Sequence, residues 1–189
     1  VYIQISEKEL IGFYSQVSQE TSLPIMLYNS PAVPNSLSTD IVQELMQIDN
    51  IVAIKDSSRD FKQMSDLIRF CGDKVQIFVG EEHLLLAAIA IGAAGAVSMT
   101  SQVVGPMAIE LYNAANAGDM PRARILHQKM VRVYDLFAVG SGYVAIKESM
   151  KLLGKPGGFT RSPMTPFTDV QISALVQIFR DVDLLPNHE

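Results

Sequence analysis

The chain has 189 residues, a length that suits one domain with an appended subdomain. Hydrophobic residues make up 48% of it and charged residues 19%, which is typical of a globular protein with a substantial core and excludes a disordered chain. The net charge of −5 without a basic run argues against nucleic acid as the main partner, and no run of about 18 apolar residues is present for a membrane span.

Cysteine and histidine usage narrows the possible chemistry. Cys71 is the only cysteine, so a disulfide framework and a multi-cysteine metal site are excluded. The three histidines (His83, His127 and His188) lack the spacing of metal ligands, and we expect no metal. The first residues do not have the basic-then-apolar layout of a signal peptide, and a reducing, cytoplasmic setting is the simplest expectation.

In chain order, four short apolar runs alternate with helical patterns. The order Ser6 to Glu9 predicts a capping box at the start of the first helix, Ser38 is placed to begin the second, and Gly72 is placed to end the third. Alternation of this kind builds a parallel sheet. The predicted strands cover residues 25–28, 51–55, 75–80 and 96–99.

After residue 99 the pattern is helical only, with predicted helices over residues 104–117, 120–138, 143–153 and 168–182. We therefore divide the chain into residues 1–103, half of a βα barrel, and residues 104–189, a helical extension. Four strands cannot close a barrel, and an eight-stranded one usually takes about 250 residues. The pattern thus predicts the C-terminal portion of a larger chain.

Two of the apolar runs end in reactive side chains, Tyr28 in the first and Lys55 in the second. Catalytic groups of parallel barrels lie at the carboxyl ends of the strands. A lysine walled by aliphatic side chains favours its neutral amine, which attacks ketones to form an imine, and a nearby phenol can carry the protons. The plainer alternatives are a solvated surface lysine and a tyrosine with a buried ring and a wet hydroxyl.

Several motifs together resemble one family, the pyruvate-dependent class I lyases grouped with dihydrodipicolinate synthase and N-acetylneuraminate lyase. The motifs are Leu-Pro-Ile-Met-Leu-Tyr-Asn-Ser-Pro at 23–31, Ile-Val-Ala-Ile-Lys-Asp-Ser-Ser at 51–58, Val-Gly-Glu-Glu at 79–82, Gly-Ala-Ala-Gly-Ala-Val-Ser at 92–98 and Pro-Met-Thr-Pro at 163–166. The resemblance covers essentially the whole chain. It implies a (β/α)8 TIM barrel with a three-helix C-terminal extension, assembled as a homo-oligomer, either a dimer or a tetramer.

The resemblance also implies roles for individual residues. Lys55 matches the lysine that forms the Schiff base and Tyr28 the proton-carrying tyrosine, while Tyr2 lies where the family often places a hydroxyl that crosses to a neighbouring active site. The positions that match substrate-binding residues are Ser57, Gly80, Glu82 and Ser98. Local alternatives stay open for three of them: Ser57 can cap a helix, Glu82 can begin one, and Ser98 can pack in the core.

One position departs from the family pattern. Dihydrodipicolinate synthases carry an arginine two residues after the proline of the tyrosine motif, where it binds a substrate carboxylate in a bidentate way. Val33 stands there in this chain, between Ala32 and Pro34. This favours the family members that act on 2-keto-3-deoxy sugar acids.

The expected function is therefore aldol cleavage, condensation or dehydration of pyruvate or such a sugar acid through a lysine imine. The alternatives are dihydrodipicolinate synthase, which condenses pyruvate with aspartate semialdehyde, and a non-catalytic ligand sensor. No cofactor is required, because the lysine itself forms the electrophile. The expected partner is a small keto acid rather than nucleic acid or a membrane.

Overall fold

The protein is described by a computed structural model over residues 3–186. The chain divides into two compact units, Val1–Val97 and Ser98–Glu189. The sequence-based division lay at residue 103, inside the helix that opens the second unit, and it stays a prediction. Tyr2 lies outside the described residues.

The first unit alternates strands and helices as predicted. Its strands pair in the order β1-β2-β3-β4, every neighbouring pair is parallel, and the sheet formed by the described residues is open. The last strand is shorter than expected, because it pairs only with Phe78 and Val79 at the end of β3. The elements are α1 Glu7–Gln19, β1 Ile25–Asn29, α2 Thr39–Leu45, β2 Ile51–Asp56, α3 Phe61–Cys71, β3 Gln76–Val79, a 3-10 turn Glu82–Leu84, α4 Leu85–Ala90 and β4 Gly95–Ala96.

Helix boundaries follow the capping chemistry of the sequence. Ser6 and Glu9 form the expected capping box, in which each side chain bonds the other residue's backbone N–H. The Ser38 side chain accepts from Ile41 N and begins α2, and Gly72 ends α3. Asp60 begins α3, with its carboxylate accepting from the N–H groups of the first turn.

The two faces of the sheet differ in burial. Leu27, Ile54 and Ile77 pair in one row, are nearly inaccessible and form the core beneath the helices. The neighbouring row on the opposite face begins with Tyr28 and Lys55, and Tyr28 is 51% exposed. Because side chains alternate between faces, each strand end presents one residue to the core and the next to the open face.

The described part of the second unit is helical, as the sequence pattern after residue 99 predicts. The predicted helix 120–138 is divided at Asp135 into α6 and the short α7. The helices are α5 Ser101–Asn116, α6 Met120–Tyr134, α7 Leu136–Val139, α8 Gly142–Leu152 and α9 Asp169–Asp181. Within residues 3–186, no helix is both long and apolar enough to cross a membrane.

Helix α5 has a kink with a local cause. Val104 has non-helical dihedral angles (φ −120°, ψ 31°), and Pro106 follows two residues later. Proline has no N–H for the carbonyl of Gln102, four residues before it. The Lys155 amine donates to that carbonyl at 3.1 Å and to the carbonyl of Val103 at 2.8 Å. The lysine therefore supplies hydrogen bonds to carbonyls near the kink.

The core of the second unit predicts that substitutions at two positions of α9 differ strongly in their effect on stability. Leu175 is fully buried in the cluster that joins α5 to α9, whereas Val170 on the same helix is 80% exposed. We expect Leu175→Ala to lower the free energy of unfolding by about 2–5 kcal/mol, because it leaves a cavity. Val170→Ala should stay within about 0.5 kcal/mol of the parent. Chemical denaturation of the intact protein measures both, and equal effects would contradict the assigned core.

Candidate active site

Tyr28 and Lys55 are neighbours because the parallel register pairs them directly. The Lys55 amine nitrogen lies 4.4 Å from the centre of the Tyr28 ring. Phe78 of β3 pairs with Lys55 on its other side, so one row of side chains crosses three strands close to their carboxyl ends. The structure thus brings the two principal predicted catalytic residues together at the predicted edge of the sheet.

Ser57 and Gly80 extend this row beyond the regular strands. The N–H of Ser57 donates to Asn29 O at 2.9 Å and that of Gly80 to Asp56 O at 2.7 Å, so the hydrogen-bond ladder continues. A methyl group built on Gly80 would lie 1.8 Å from Ser57 Oγ and 2.9 Å from Lys55 Cε. Glycine therefore makes room for the lysine side chain. We call Tyr28, Ser30, Lys55, Ser57 and Gly80 the strand-end cluster.

The hydroxyl of Tyr28 lies in a polar setting. Hydrogen bonding to Ser30 is the largest cause that lowers the pKa of Tyr28, with smaller contributions from Ser57 and from the charge and amine of Lys55. Partial burial acts in the opposite direction. These groups stabilise the phenolate relative to the phenol, which favours proton release by Tyr28.

Two further predicted site residues, Glu82 and Ser98, lie outside the strand-end cluster. Glu82 is the first residue of the 3-10 turn and is buried, at 3% exposure. Ser98 begins the second unit, and its carbonyl accepts from the Ser101 hydroxyl at 2.8 Å. Substrate contacts for Ser57, Gly80, Glu82 and Ser98 stay predictions, as do the catalytic roles of Lys55, Tyr28 and Tyr2. Within residues 3–186, no group of three or more His, Cys, Asp or Glu side chains could hold a metal ion.

Two features of the site were not anticipated from the sequence. Ser30 lies two positions after Tyr28, and the two-residue period of a strand was the available signal. Asn29 and Asp56 are both 2% exposed, and Asn29 Nδ2 donates to Asp56 Oδ1 at 2.6 Å. No local pattern identifies that pair, because its members are 27 residues apart.

A lysine and a tyrosine paired at the carboxyl ends of parallel strands define a candidate Schiff-base site on a βα-barrel fold. The model of the dihydrodipicolinate synthetase family matches residues 1–181, and the chain belongs to this family. The fold class inferred from the sequence and the resemblance to this family are thereby confirmed.

Individual relatives agree with this assignment. The 4-hydroxy-tetrahydrodipicolinate synthase of Oceanobacillus iheyensis is 32% identical over 183 residues, which is 96% of this chain and 62% of the relative. That of Citrifermentans bemidjiense is 30% identical over 185 residues, covering 97% of this chain and 64% of the relative. The chain therefore spans less than two thirds of the length of these relatives.

Solved structures show the same fold. Dihydrodipicolinate synthase DapA-2 of Bacillus anthracis superposes with a TM-score of 0.87 at 33% identity, covering 97% of this chain and 62% of that one. The Escherichia coli prophage protein YagE reaches a TM-score of 0.91 at 24% identity, with 97% and 64% covered. At that identity the second likeness concerns the fold alone.

The close approach at Gly80 yields a direct test. Gly80→Ala places a methyl group against Lys55 Cε and Ser57. We expect overpacking to cost about 1–3 kcal/mol of stability and displacement of the amine to slow imine formation roughly tenfold or more. The measurements are thermal unfolding and borohydride trapping with pyruvate in the intact protein.

Gly12→Ala is the matched control for this test, because nothing lies within 4 Å of the added methyl group in helix α1. It should raise stability by about 0.5–1 kcal/mol and leave trapping unchanged. If Gly80→Ala traps pyruvate as fast as the parent, the tight packing around Lys55 is not functional.

The hydrogen bonds to Tyr28 yield a pH-dependent prediction. Ser30→Ala removes the largest cause of the lowered pKa of Tyr28, so that pKa should rise toward the ordinary tyrosine value. The phenolate ultraviolet signal, taken as the difference from Tyr28→Phe, measures it. Ser65→Ala is the control, since that hydroxyl bonds Phe61 O within α3. An unchanged titration in Ser30→Ala would contradict the assignment.

The same shift has a defined sign for stability. The pKa of Tyr28 is lower in the folded than in the unfolded chain. Its favourable contribution is therefore complete above the unfolded value of about 10 and is lost as the pH falls through the lowered folded value. Ser30→Ala should reduce this pH dependence at the alkaline end.

Proposed function

We propose that the protein is a lyase that forms a Schiff base between Lys55 and the ketone of pyruvate. The observation that carries the proposal is the direct pairing of Tyr28 with Lys55, whose amine lies 4.4 Å from the tyrosine ring centre. Membership in the dihydrodipicolinate synthetase family supports it. Within the strand-end cluster, Lys55 is the proposed nucleophile and Tyr28 the proposed proton carrier, and Gly80 leaves space for the lysine side chain.

The proposed reaction begins with attack of the neutral Lys55 amine on the ketone carbon. Proton transfers to the carbinolamine oxygen release water and leave an imine, which is protonated and withdraws electrons from the neighbouring carbon. Loss of a proton from the methyl carbon of pyruvate gives an enamine, which attacks an aldehyde and forms the new carbon–carbon bond. Tyr28 donates a proton to the aldehyde oxygen, and water then hydrolyses the imine and restores Lys55.

For the aldehyde, we propose aspartate semialdehyde as the first candidate. Its support is the shared name of the similar curated relatives, 4-hydroxy-tetrahydrodipicolinate synthase, at 32% and 30% identity. One observation favours the second candidate, cleavage or dehydration of a 2-keto-3-deoxy sugar acid. Val33, in the turn closed by its N–H to Ser30 O at 3.3 Å, has no charge with which to bind a carboxylate.

Trapping tests the proposal at its first covalent step. The intact protein is incubated with pyruvate, reduced with borohydride and digested, and we expect mass spectrometry to place the adduct on Lys55. Lys55→Ala should abolish the adduct and lower turnover by several orders of magnitude, because it removes the nucleophile. Lys147→Ala is the control, since that amine donates to Gly157 O in the second unit.

The same preparation separates the candidates. Turnover of pyruvate with aspartate semialdehyde supports the synthase, whereas turnover of 2-keto-3-deoxy acids alone supports the second reaction. A wild-type protein that binds pyruvate without forming an adduct would be a ligand sensor. Full turnover in Lys55→Ala would refute the imine mechanism.

A further inference from the structure

Each reactive residue of the site is followed by a polar residue that points to the other face of the sheet. Asn29 follows Tyr28, Asp56 follows Lys55, and the register pairs Asn29 with Asp56. Both are 2% exposed and share the core-facing side with Leu27. A carboxylate at such a position is costly unless hydrogen bonds satisfy it.

Asp56 is satisfied by side chains from three segments. Its Oδ1 accepts from Asn29 Nδ2 at 2.6 Å and from Gln63 Nε2 at 3.3 Å, and its Oδ2 accepts from Ser58 Oγ at 2.7 Å. These bonds connect strand β1, strand β2, the turn after β2 and helix α3. We call Asn29, Asp56, Ser58 and Gln63 the strand-end clamp.

The clamp also holds the loop between β1 and α2. The N–H of Leu37 donates to Asn29 Oδ1 at 3.0 Å, and Gln63 Nε2 donates to the Leu37 carbonyl at 3.2 Å. Both peptide groups of one buried residue are thus fixed by clamp side chains. The loop that carries Val33 is anchored beside the end of β1 by directional bonds, which apolar packing alone would not provide.

The pairing register of β1 with β2 changes along the strands, so the register at their amino ends does not determine the register at their carboxyl ends. Between Ile25 and Met26 the pairing of β1 with β2 shifts, so that Ile25 pairs with Ile51 but Met26 pairs with Ala53. Beyond that irregularity, Tyr28 meets Lys55 only if the new register is held. The Asn29–Asp56 bond crosses the two strands one residue after that pair.

We propose that Asn29 and Asp56 are positioning residues, which hold the strand ends so that Lys55 and Tyr28 reach the same substrate atom. The role rests on the function proposed above. It acts through the separation of the two side chains, since misplacement by about 1 Å can cost a hundredfold in rate. A hydrophobic pair in place of Asn29 and Asp56 would also pack in the core. It would not specify the strand register near Lys55 and Tyr28, because apolar contacts are not directional.

The test compares single variants with the exchanged pair in the intact protein. Asn29→Asp sets two carboxylates against each other, and Asp56→Asn leaves one oxygen for the three side chains that donate to Asp56. In each variant we expect kcat to fall roughly ten- to hundredfold, with KM changed much less. The double variant Asn29→Asp with Asp56→Asn restores a donor opposite an acceptor. It should recover a large part of kcat, although one acceptor on position 56 is lost.

A stability control separates positioning from general destabilisation. Met64→Ala removes a side chain in α3 that is 3% exposed and makes no clamp hydrogen bond, so it lowers the melting temperature without altering the strand ends. Assayed well below its melting temperature, it should keep near-parent kcat. If Met64→Ala and the clamp variants lose kcat in proportion to their loss of stability, the positioning role is refuted.

A second readout does not depend on catalysis. Separation of Lys55 from Tyr28 weakens the contribution of the lysine to the lowered pKa of Tyr28. Asp56→Asn removes a negative charge, which by itself would lower the pKa of Tyr28, so a titration at higher pH in this variant reports the separation, and the exchanged pair should return toward the parent. A titration of Asp56→Asn that is unshifted or moves to lower pH overturns the inference. If the wild type forms no pyruvate adduct, the proposed function fails and the titration alone decides whether the clamp sets the pair.

Discussion

The register between β1 and β2 is the constraint on which the site depends. It places Tyr28 beside Lys55, and the same pairing places Asn29 beside Asp56 on the opposite face. Because side chains alternate along a strand, a slip of one residue would send the lysine into the core and the carboxylate into the site. The reactive face and the structural face are therefore set by one arrangement of backbone hydrogen bonds.

The proposed nucleophile, Lys55, has a flexible side chain that lies against neighbouring strand-end residues. Lysine has four rotatable side-chain bonds, and its amine must be confined to react efficiently. Gly80 admits the end of the Lys55 side chain, and the Ser57 hydroxyl lies against the same space. On the neighbouring strand, Ser30 and Tyr28 share a hydrogen bond that favours the phenolate. Short segments at the strand ends thus confine the Lys55 side chain and lower the pKa of Tyr28.

Family membership and local chemistry inform different levels of function. The family model matches residues 1–181, which shows the family to which the chain belongs. In the proposed function, residues around the strand ends would select the second substrate. Val33 lies in the turn after β1, and that turn is anchored through Leu37 to the clamp. In the proposed function, substrate selection by the turn is therefore separable from the imine chemistry proposed for the strand ends.

The sequence alone determined the strand–helix order and the principal helix caps, and it predicted Lys55 and Tyr28 as the candidate catalytic pair. Local sequence signals predict each of these. Apolar runs indicate the strands, the Ser-x-x-Glu order indicates a helix cap, and reactive residues at the ends of apolar runs indicate the candidate site. The four-stranded parallel sheet and the capping box at Ser6 confirm the predicted strands and helix start. The sequence did not predict the exact ends of β4 or the break after α6, because element ends depend on contacts with segments that are distant in the sequence.

Only the tertiary structure decided which polar residues serve the site. Asn29 and Asp56 have the local signatures of a turn and a cap, yet they bond across two strands at a separation of 27 residues. Ser30 and Gly80 likewise take their meaning from Tyr28 and Lys55 on neighbouring segments. The physical reason is that cross-strand contacts follow from register, and here the register includes a shift near Met26 that strand periodicity does not encode.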